Sequence, residues 1–296
     1  MCSVVRTGFL ESTDATRLSY EAQAPDGRAR ACVVIVHGYA DHSGRYQGLG
    51  SHLVGEGFAV FAFDYRGHGR STGKRGYCRG FNDFLCDLEC ALSEAVTIAS
   101  GSPLVVLAQS HGALIALRWL CEGDRAGGAV DAAVLSSPYL GPTFRLTWLE
   151  SLALTVSSRL VPGLTFGNRL RAEQLTHDAE MVAAHKRDPL VHHVATVRWL
   201  TESRRAQQQV ASCVDRLAVP TLWLIGQSDP IADPAVNLEL YERAGGDKEL
   251  RLYDGFYHEP FSEVGRERVV ADVLGWLAAR YPLARASPMI QTVRPP

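Results

Sequence analysis

The chain has no apolar run approaching the roughly 18 to 20 residues that a bilayer-spanning helix needs, which excludes an integral membrane helix. It has no excess of either charge: 30 Lys and Arg stand against 32 Asp and Glu, for a net charge of −2. They are mixed along the chain, with no basic stripe and no acidic tail, so a nucleic-acid partner is not expected. The opening residues, M-C-S-V-V-R-T-G-F-L-E, lack an apolar core, and the expectation is a chain without a secretory leader. Regular cysteine spacing is also missing. The seven cysteines (Cys2, Cys32, Cys78, Cys86, Cys90, Cys121 and Cys213) are odd in number and irregular in spacing. That argues against a disulfide framework and for free thiols in a reducing, cytoplasmic setting. Cys86 and Cys90 lie one helical turn apart, but a metal would need two more ligands nearby, so no metal is expected. Internal repeats and low-complexity tracts are absent too.

What is present is a large apolar fraction, 46% of 296 residues, enough for one large domain or a domain with an insertion. Residues 3–10 and 16–22 alternate apolar and polar, as two antiparallel strands do. From residue 31, short apolar runs at 31–36, 58–63, 104–107 and 130–135 alternate with helical patterns at 43–56, 81–99 and 113–120. Ser43 is the expected start of the first of these helices. Residues 139–214 break the rhythm, with no strand-like run and an apolar start around Trp148, Leu149, Leu152 and Leu160. Alternation resumes with strands at 219–225 and 249–253 and helices at 234–244 and 261–280. The count is eight strands in a mostly parallel sheet covered by helices on both faces, an α/β protein. The expected domains are a core of 1–138 and 215–282, an insertion of 139–214, and a disordered tail of 283–296.

The chain is organised around P-L-V-V-L-A-Q-S-H-G, residues 103–112. A buried strand and a helix are separated by a turn so short that Ser110 must sit at its apex. Ala108 and Gly112, two positions away on either side, are small, and the expectation is that they pack against each other. This is the pattern of a nucleophile elbow, with Ala where the first Gly usually stands. A serine hydroxyl needs a base within hydrogen-bond reach, and a histidine oriented by a carboxylate is the best one. On such a fold the acid and the histidine follow later strands in that order. Asp229 follows the strand ending near Ile225, in G-Q-S-D-P. His258 follows the last strand, the only one of ten histidines that does. The neighbouring Asp233 reads as the N-cap of a helix that begins with Pro234, and Asp254 as a turn residue. Backbone N–H groups must also face the developing oxyanion. The expected donors are His111, at the start of the helix after Ser110, and Tyr39, just after His37-Gly38.

Six segments then resemble one family. H-G-Y-A-D-H-S-G-R-Y (37–46), D-Y-R-G-H-G-R-S (64–71), A-Q-S-H-G (108–112), D-P-L-V (188–191), G-Q-S-D-P-I (226–231) and Y-H-E (257–259) are similar to the monoacylglycerol lipase and lysophospholipase group of α/β-hydrolases, in order over residues 15–280. The resemblance implies the α/β-hydrolase fold with a helical cap inserted after strand 6. It also implies cofactor-free hydrolysis of single-chain lipid esters. Residue by residue, it puts the triad on Ser110, Asp229 and His258 and the oxyanion donors on Tyr39 and His111. The family's elbow commonly reads G-H-S-M-G-G, so Gln109 and His111 alter the surroundings of the nucleophile. Relatives often carry His-Gly-x-x-D where this chain has Gly226-Gln227-Ser228-Asp229.

Trp148, Leu149 and Leu152 are expected to touch substrate, as part of an acyl channel or of a peripheral membrane contact. Arg66 and Arg70 are read as structural ion-pair residues in the glycine-rich loop rather than as phosphate binders. The expected function is a serine carboxylic ester hydrolase acting on monoacylglycerols through an acyl-enzyme on Ser110. The alternatives are a lysophospholipase, a short-chain esterase, thioesterase or peptidase on the same fold, and a non-catalytic lipid-binding protein.

Overall fold

The computed structural model describes residues 4–122, 130–143 and 146–283. Apart from Leu283, the tail expected to be disordered lies outside them. β1 (Val4–Glu11) and β2 (Arg17–Ala24) form an antiparallel hairpin. Then β3 (Cys32–Val36), α1 (Gln47–Gly55), β4 (Ala59–Phe63), α2 (Asn82–Ala99), β5 (Leu104–Gln109), α3 (His111–Leu120) and β6 (Ala132–Ser136) alternate. α4 (Trp148–Leu160), β7 (Thr165–Gly167), α5 (Ala179–Arg187), β8 (Val194–Thr196) and α6 (Val197–Ala211) follow without joining the main sheet. β9 (Thr221–Gly226), α7 (Pro234–Arg243), β10 (Lys248–Tyr253) and α8 (Arg266–Arg280) complete the chain.

The eight-stranded sheet has the order β1-β2-β4-β3-β5-β6-β9-β10, and from β4 onward every pairing is parallel. β3, β4, β5, β6 and β9 are buried at every position, which is why they read as continuous apolar runs. Their residues nonetheless divide by the period of two. Val34, Val36, Phe61, Phe63 and Val106 pack with residues of α2, α3 and α6. Val33, Ile35, Val60, Val105 and Leu107 pack on the other face with residues of α1 and α8.

Helix ends follow their local chemistry. Asp233 caps α7 by accepting from Ala235 N at 2.9 Å, with Pro234 at the first position, as the Asp-Pro pair implies. Thr147 and Glu150 form a capping box on α4. Three details depart from expectation. The helical stretch from 43 opens with a short 3₁₀ turn capped by His42, not Ser43, because Ser43 N donates instead to Asp64 Oδ1 at 2.7 Å. The last helix begins at Arg266, after a separate turn over Pro260–Ser262, because Gly265 stands at φ +83°. The segment between β6 and β9 does contain strands: β7 and β8 pair antiparallel, but at three residues each they are too short to show alternation.

The family-like segments meet in space. His42 Nε2 bonds Asp188 Oδ2 at 2.8 Å, joining 37–46 to 188–191. Arg66 is the core of a structural cluster: its guanidinium bonds Asp87 at 2.7 and 2.8 Å and Asp14 at 2.9 Å. The Arg70 side chain makes no ion pair among the described residues, contrary to expectation. Its backbone N–H does the local work instead, donating to Asp64 Oδ2 at 2.8 Å. Cys32, Cys78, Cys86, Cys90, Cys121 and Cys213 are free thiols. No helix among the described residues is long and apolar enough to cross a membrane.

Candidate active site

Ser110 lies between β5 and α3 with φ +54° and ψ −116°, a conformation costing a non-glycine residue on the order of 1–3 kcal/mol. Backbone bonds hold it there: Ser110 N donates to Ser136 O at 2.9 Å, and Tyr139 N and Leu114 N donate to Ser110 O, each at 3.1 Å. The requirement for a small residue at 112 has a different origin from the one expected. A Cβ at Gly112 would stand 2.3 Å from Val36 O and 2.4 Å from His37 O, so the neighbouring strand end, not Ala108, excludes it.

Asp229 sits in the loop after β9. Its Oδ1 accepts from Ile231 N at 2.8 Å and Ala232 N at 3.0 Å. Its Oδ2 is left for His258 Nδ1, at 2.7 Å. His258 Nε2 is 2.7 Å from Ser110 Oγ. A carboxylate only accepts, so the His258 proton is assigned to Nδ1, and Nε2 is free to accept from the serine hydroxyl. All three side chains are buried, from loops widely separated in sequence. Their loops are held close. A Cβ at Gly226 would meet Tyr257 O at 2.4 Å, and Gln109 Nε2 donates to His258 O at 2.7 Å. The other acids near His258 are accounted for. Glu259 is clamped by Arg45 at 2.8 and 3.0 Å, and Asp254 lies exposed in a turn.

Tyr39 and His111 border the same cavity as Ser110, and neither backbone N–H has an acceptor among the described residues. His111 N–H belongs to the first turn of α3, where helix amides lack internal partners and carry partial positive charge. The cavity has a volume of about 770 Å³. Tyr139, Leu146, Phe166, Leu170, Leu200 and Ile231 give it an apolar wall, and Gln109, His258, Asp41 and Glu259 also border it. The structure does not bring Trp148, Leu149 and Leu152 to this wall. They are 73%, 58% and 54% exposed on the outer face of α4, and Leu146 and Glu150 reach the cavity instead. An apolar pattern at helical spacing shows that a face exists, not whether it turns inward.

The family model described as serine aminopeptidase, S33, matches residues 27–265. This chain belongs to that family. A monoacylglycerol lipase of Mycolicibacterium smegmatis is 34% identical over 268 residues, covering 89% of this chain and 93% of that protein. The human monoglyceride lipase is 30% identical, covering 92% and 90%. The crystal structure of a monoacylglycerol lipase from Paleococcus ferrophilus matches with a TM-score of 0.78 at 26% identity, covering 94% of this chain and 99% of that one. This S33 protein is therefore a serine ester hydrolase of the α/β-hydrolase fold.

The electrostatics of its histidines differ by neighbour. Burial disfavours the charged form of His258, but the charge of Asp229 and its hydrogen bond outweigh this and raise the pKa above the ordinary value. Only neutral His258 can accept the serine proton. With His258 as the base, kcat/KM is expected to rise with pH through a midpoint above about 6.5. A pH profile on an ester that does not itself ionise checks this; a midpoint below that value would mean that burial dominates. His111, by contrast, is fully buried, and its pKa is pushed down to about 3 by burial first and His37 second, so it stays neutral. Sequence reasoning missed the side-chain partners of His111, which are Trp199 and Ser203 on α6 and Tyr65 after β4. The departure of His111 from the usual elbow was the only signal pointing at them.

Proposed function

We propose that this hydrolase cleaves monoacylglycerols or closely related single-chain lipid esters. Ser110 is the nucleophile, His258 the base and then the acid, Asp229 the orienting carboxylate, and Tyr39 and His111 N–H the oxyanion donors. The observation that carries the reading is the Asp229–His258–Ser110 chain of 2.7 Å contacts opening onto a cavity with an apolar wall. Ser110 Oγ attacks the ester carbonyl as His258 Nε2 takes its proton. The alcohol leaves with that proton, and water then repeats the sequence on the acyl-enzyme. Each methylene buried against the apolar wall contributes about 0.8 kcal/mol. This rewards one long acyl chain.

Residues 139–214 act as a cap over the strand ends in this reading, supported by the cavity wall that Leu146, Phe166, Leu170 and Leu200 supply. The outer face of α4, with Trp148, Leu149, Leu152 and Leu160 exposed, contacts the lipid surface that carries the substrate. Names borne by the relatives, monoacylglycerol lipase and monoglyceride lipase, agree with this substrate class.

The test is the initial rate on monoacylglycerols of several chain lengths, diacylglycerol, lysophosphatidylcholine, short p-nitrophenyl esters and an aminoacyl p-nitroanilide, with Ser110→Ala alongside. Ser110-dependent turnover is expected to be fastest on monoacylglycerols and to rise with chain length. Turnover confined to short esters would discard the lipid assignment, and cleavage of the anilide alone would make the protein a peptidase. Trp148→Ala is expected to reduce sedimentation with phosphatidylcholine vesicles while leaving hydrolysis of a short water-soluble ester unchanged.

A further inference from the structure

The Tyr39 amide is held in place by a chain of hydrogen bonds that begins on α6. In a trans peptide the carbonyl of one residue and the N–H of the next point in opposite directions, and no cis peptide occurs among the described residues. Whatever fixes the Gly38 carbonyl therefore aims the Tyr39 N–H. Gly38 O accepts from His37 Nδ1 at 2.7 Å and from Tyr65 Oη at 2.8 Å, occupying both lone pairs.

Tyr65 is buried, and its hydroxyl also lies 3.3 Å from His111 Nδ1. The direction of that contact follows from the other side of the ring. Trp199 Nε1 lies 3.2 Å from His111 Nε2 and can only donate. Nε2 is thus the acceptor, shared with Ser203 Oγ at 3.2 Å, and the ring proton resides on Nδ1. His111 Nδ1–H then donates to Tyr65 Oη, and the tyrosine's own proton is committed to Gly38 O. In the other tautomer, two N–H groups would face each other at Trp199, and Nδ1 would compete with Gly38 for the tyrosine proton. Trp199 reaches the same peptide a second way, stacking on the Tyr39 ring with centroids 3.7 Å apart.

We propose that Trp199, the His111 imidazole and Tyr65 are positioning residues that aim the Tyr39 N–H at the oxyanion, so that α6 sets the competence of a donor it does not itself contain. The inference rests on the reading of Tyr39 as an oxyanion donor. It assigns a purpose to His111 where related elbows commonly have methionine: its backbone is one donor, and its side chain aims the other. It also makes the 139–214 segment part of the catalytic apparatus as well as a substrate wall.

The experiment compares wild type, Tyr65→Phe, Trp199→Phe and the double variant. The readouts are kcat and KM on a soluble ester, affinity for a trifluoromethyl ketone that forms a tetrahedral oxyanion on Ser110, thermal midpoint, and fluorophosphonate labelling. Tyr65→Phe removes one oxygen, and Trp199→Phe keeps an aromatic ring against Tyr39. Each single variant is expected to lower kcat about 10-fold, the effect of one neutral hydrogen bond. Trifluoromethyl ketone affinity should fall by the same factor, with KM and the thermal midpoint close to wild type. Because the groups act in series, the double variant should lose no more than the larger single loss. Unchanged kcat in Tyr65→Phe overturns the proposal, as do losses that multiply and follow the thermal midpoint. A wild type that neither turns over esters nor takes the fluorophosphonate would overturn the Ser110 reading and this one together. An active wild type with unaffected variants overturns this one alone.

Discussion

Ser110→Ala is expected to lower kcat by about 10⁶-fold, the loss seen when the nucleophile of a coupled serine–histidine pair is removed. The fold should survive. Alanine bears the same backbone penalty as serine at φ +54°, and the bonds that hold this turn run through backbone atoms, with Ser136, Leu114 and Tyr139. A fluorophosphonate probe should label the wild type and spare the variant. Equal labelling of both proteins would place the nucleophile elsewhere. Loss of ester turnover with lipid binding retained separates catalysis from the carrier function that a bare apolar cavity would also permit.

Asp229→Asn is expected to lower kcat by about 10⁴-fold, with the protein folded. The reason lies in how the carboxylate is held. Oδ1 accepts from two backbone amides, Ile231 N and Ala232 N, and only an oxygen satisfies them. An asparagine must keep its carbonyl there and present its NH₂ to His258. The imidazole then has to accept at Nδ1, which puts its proton on Nε2, facing Ser110 Oγ. The base becomes a donor toward the group it should deprotonate. Comparison of kcat and circular dichroism for the two proteins checks this. A kcat within tenfold of wild type would mean that His258 takes its orientation from another group.

Ser110 and Asp229 were legible because each follows a short apolar run that reads as a buried strand, and His258 because it follows the last strand, where chain order on an alternating α/β pattern leaves few places for an acid and a base. Asp233 could be set aside because Asp233-Pro234 stands directly before a helical pattern, and the structure has it capping α7. The helix register of α2 was equally plain, with Phe84, Leu85, Leu88 and Leu92 all buried. Trp148, Leu149 and Leu152 were not decidable. Their spacing defines an apolar face, but burial depends on what stands opposite, and α4 turns that face to solvent. The three-residue strands β7 and β8 were invisible because period-two alternation needs more residues than they have.

The amino-acid sequence alone determined the local and the ordered: the eight strands of the main sheet, the sharp turn at Ser110, and the chain order of Ser110, Asp229 and His258. These follow from propensity, periodicity and connection length, properties of neighbouring residues. Only the tertiary structure decided which groups come within hydrogen-bond reach of one another and which faces turn outward. It put the carbonyls of Val36 and His37 against Gly112, seated the His258 backbone on Gln109, turned α4 outward, and ran Trp199 through His111 and Tyr65 to the Gly38 carbonyl. Such contacts join residues as far as 149 positions apart, as between Gln109 and His258. Hydrogen bonds form or fail over a few tenths of an ångström, a scale set by the packing of the whole core.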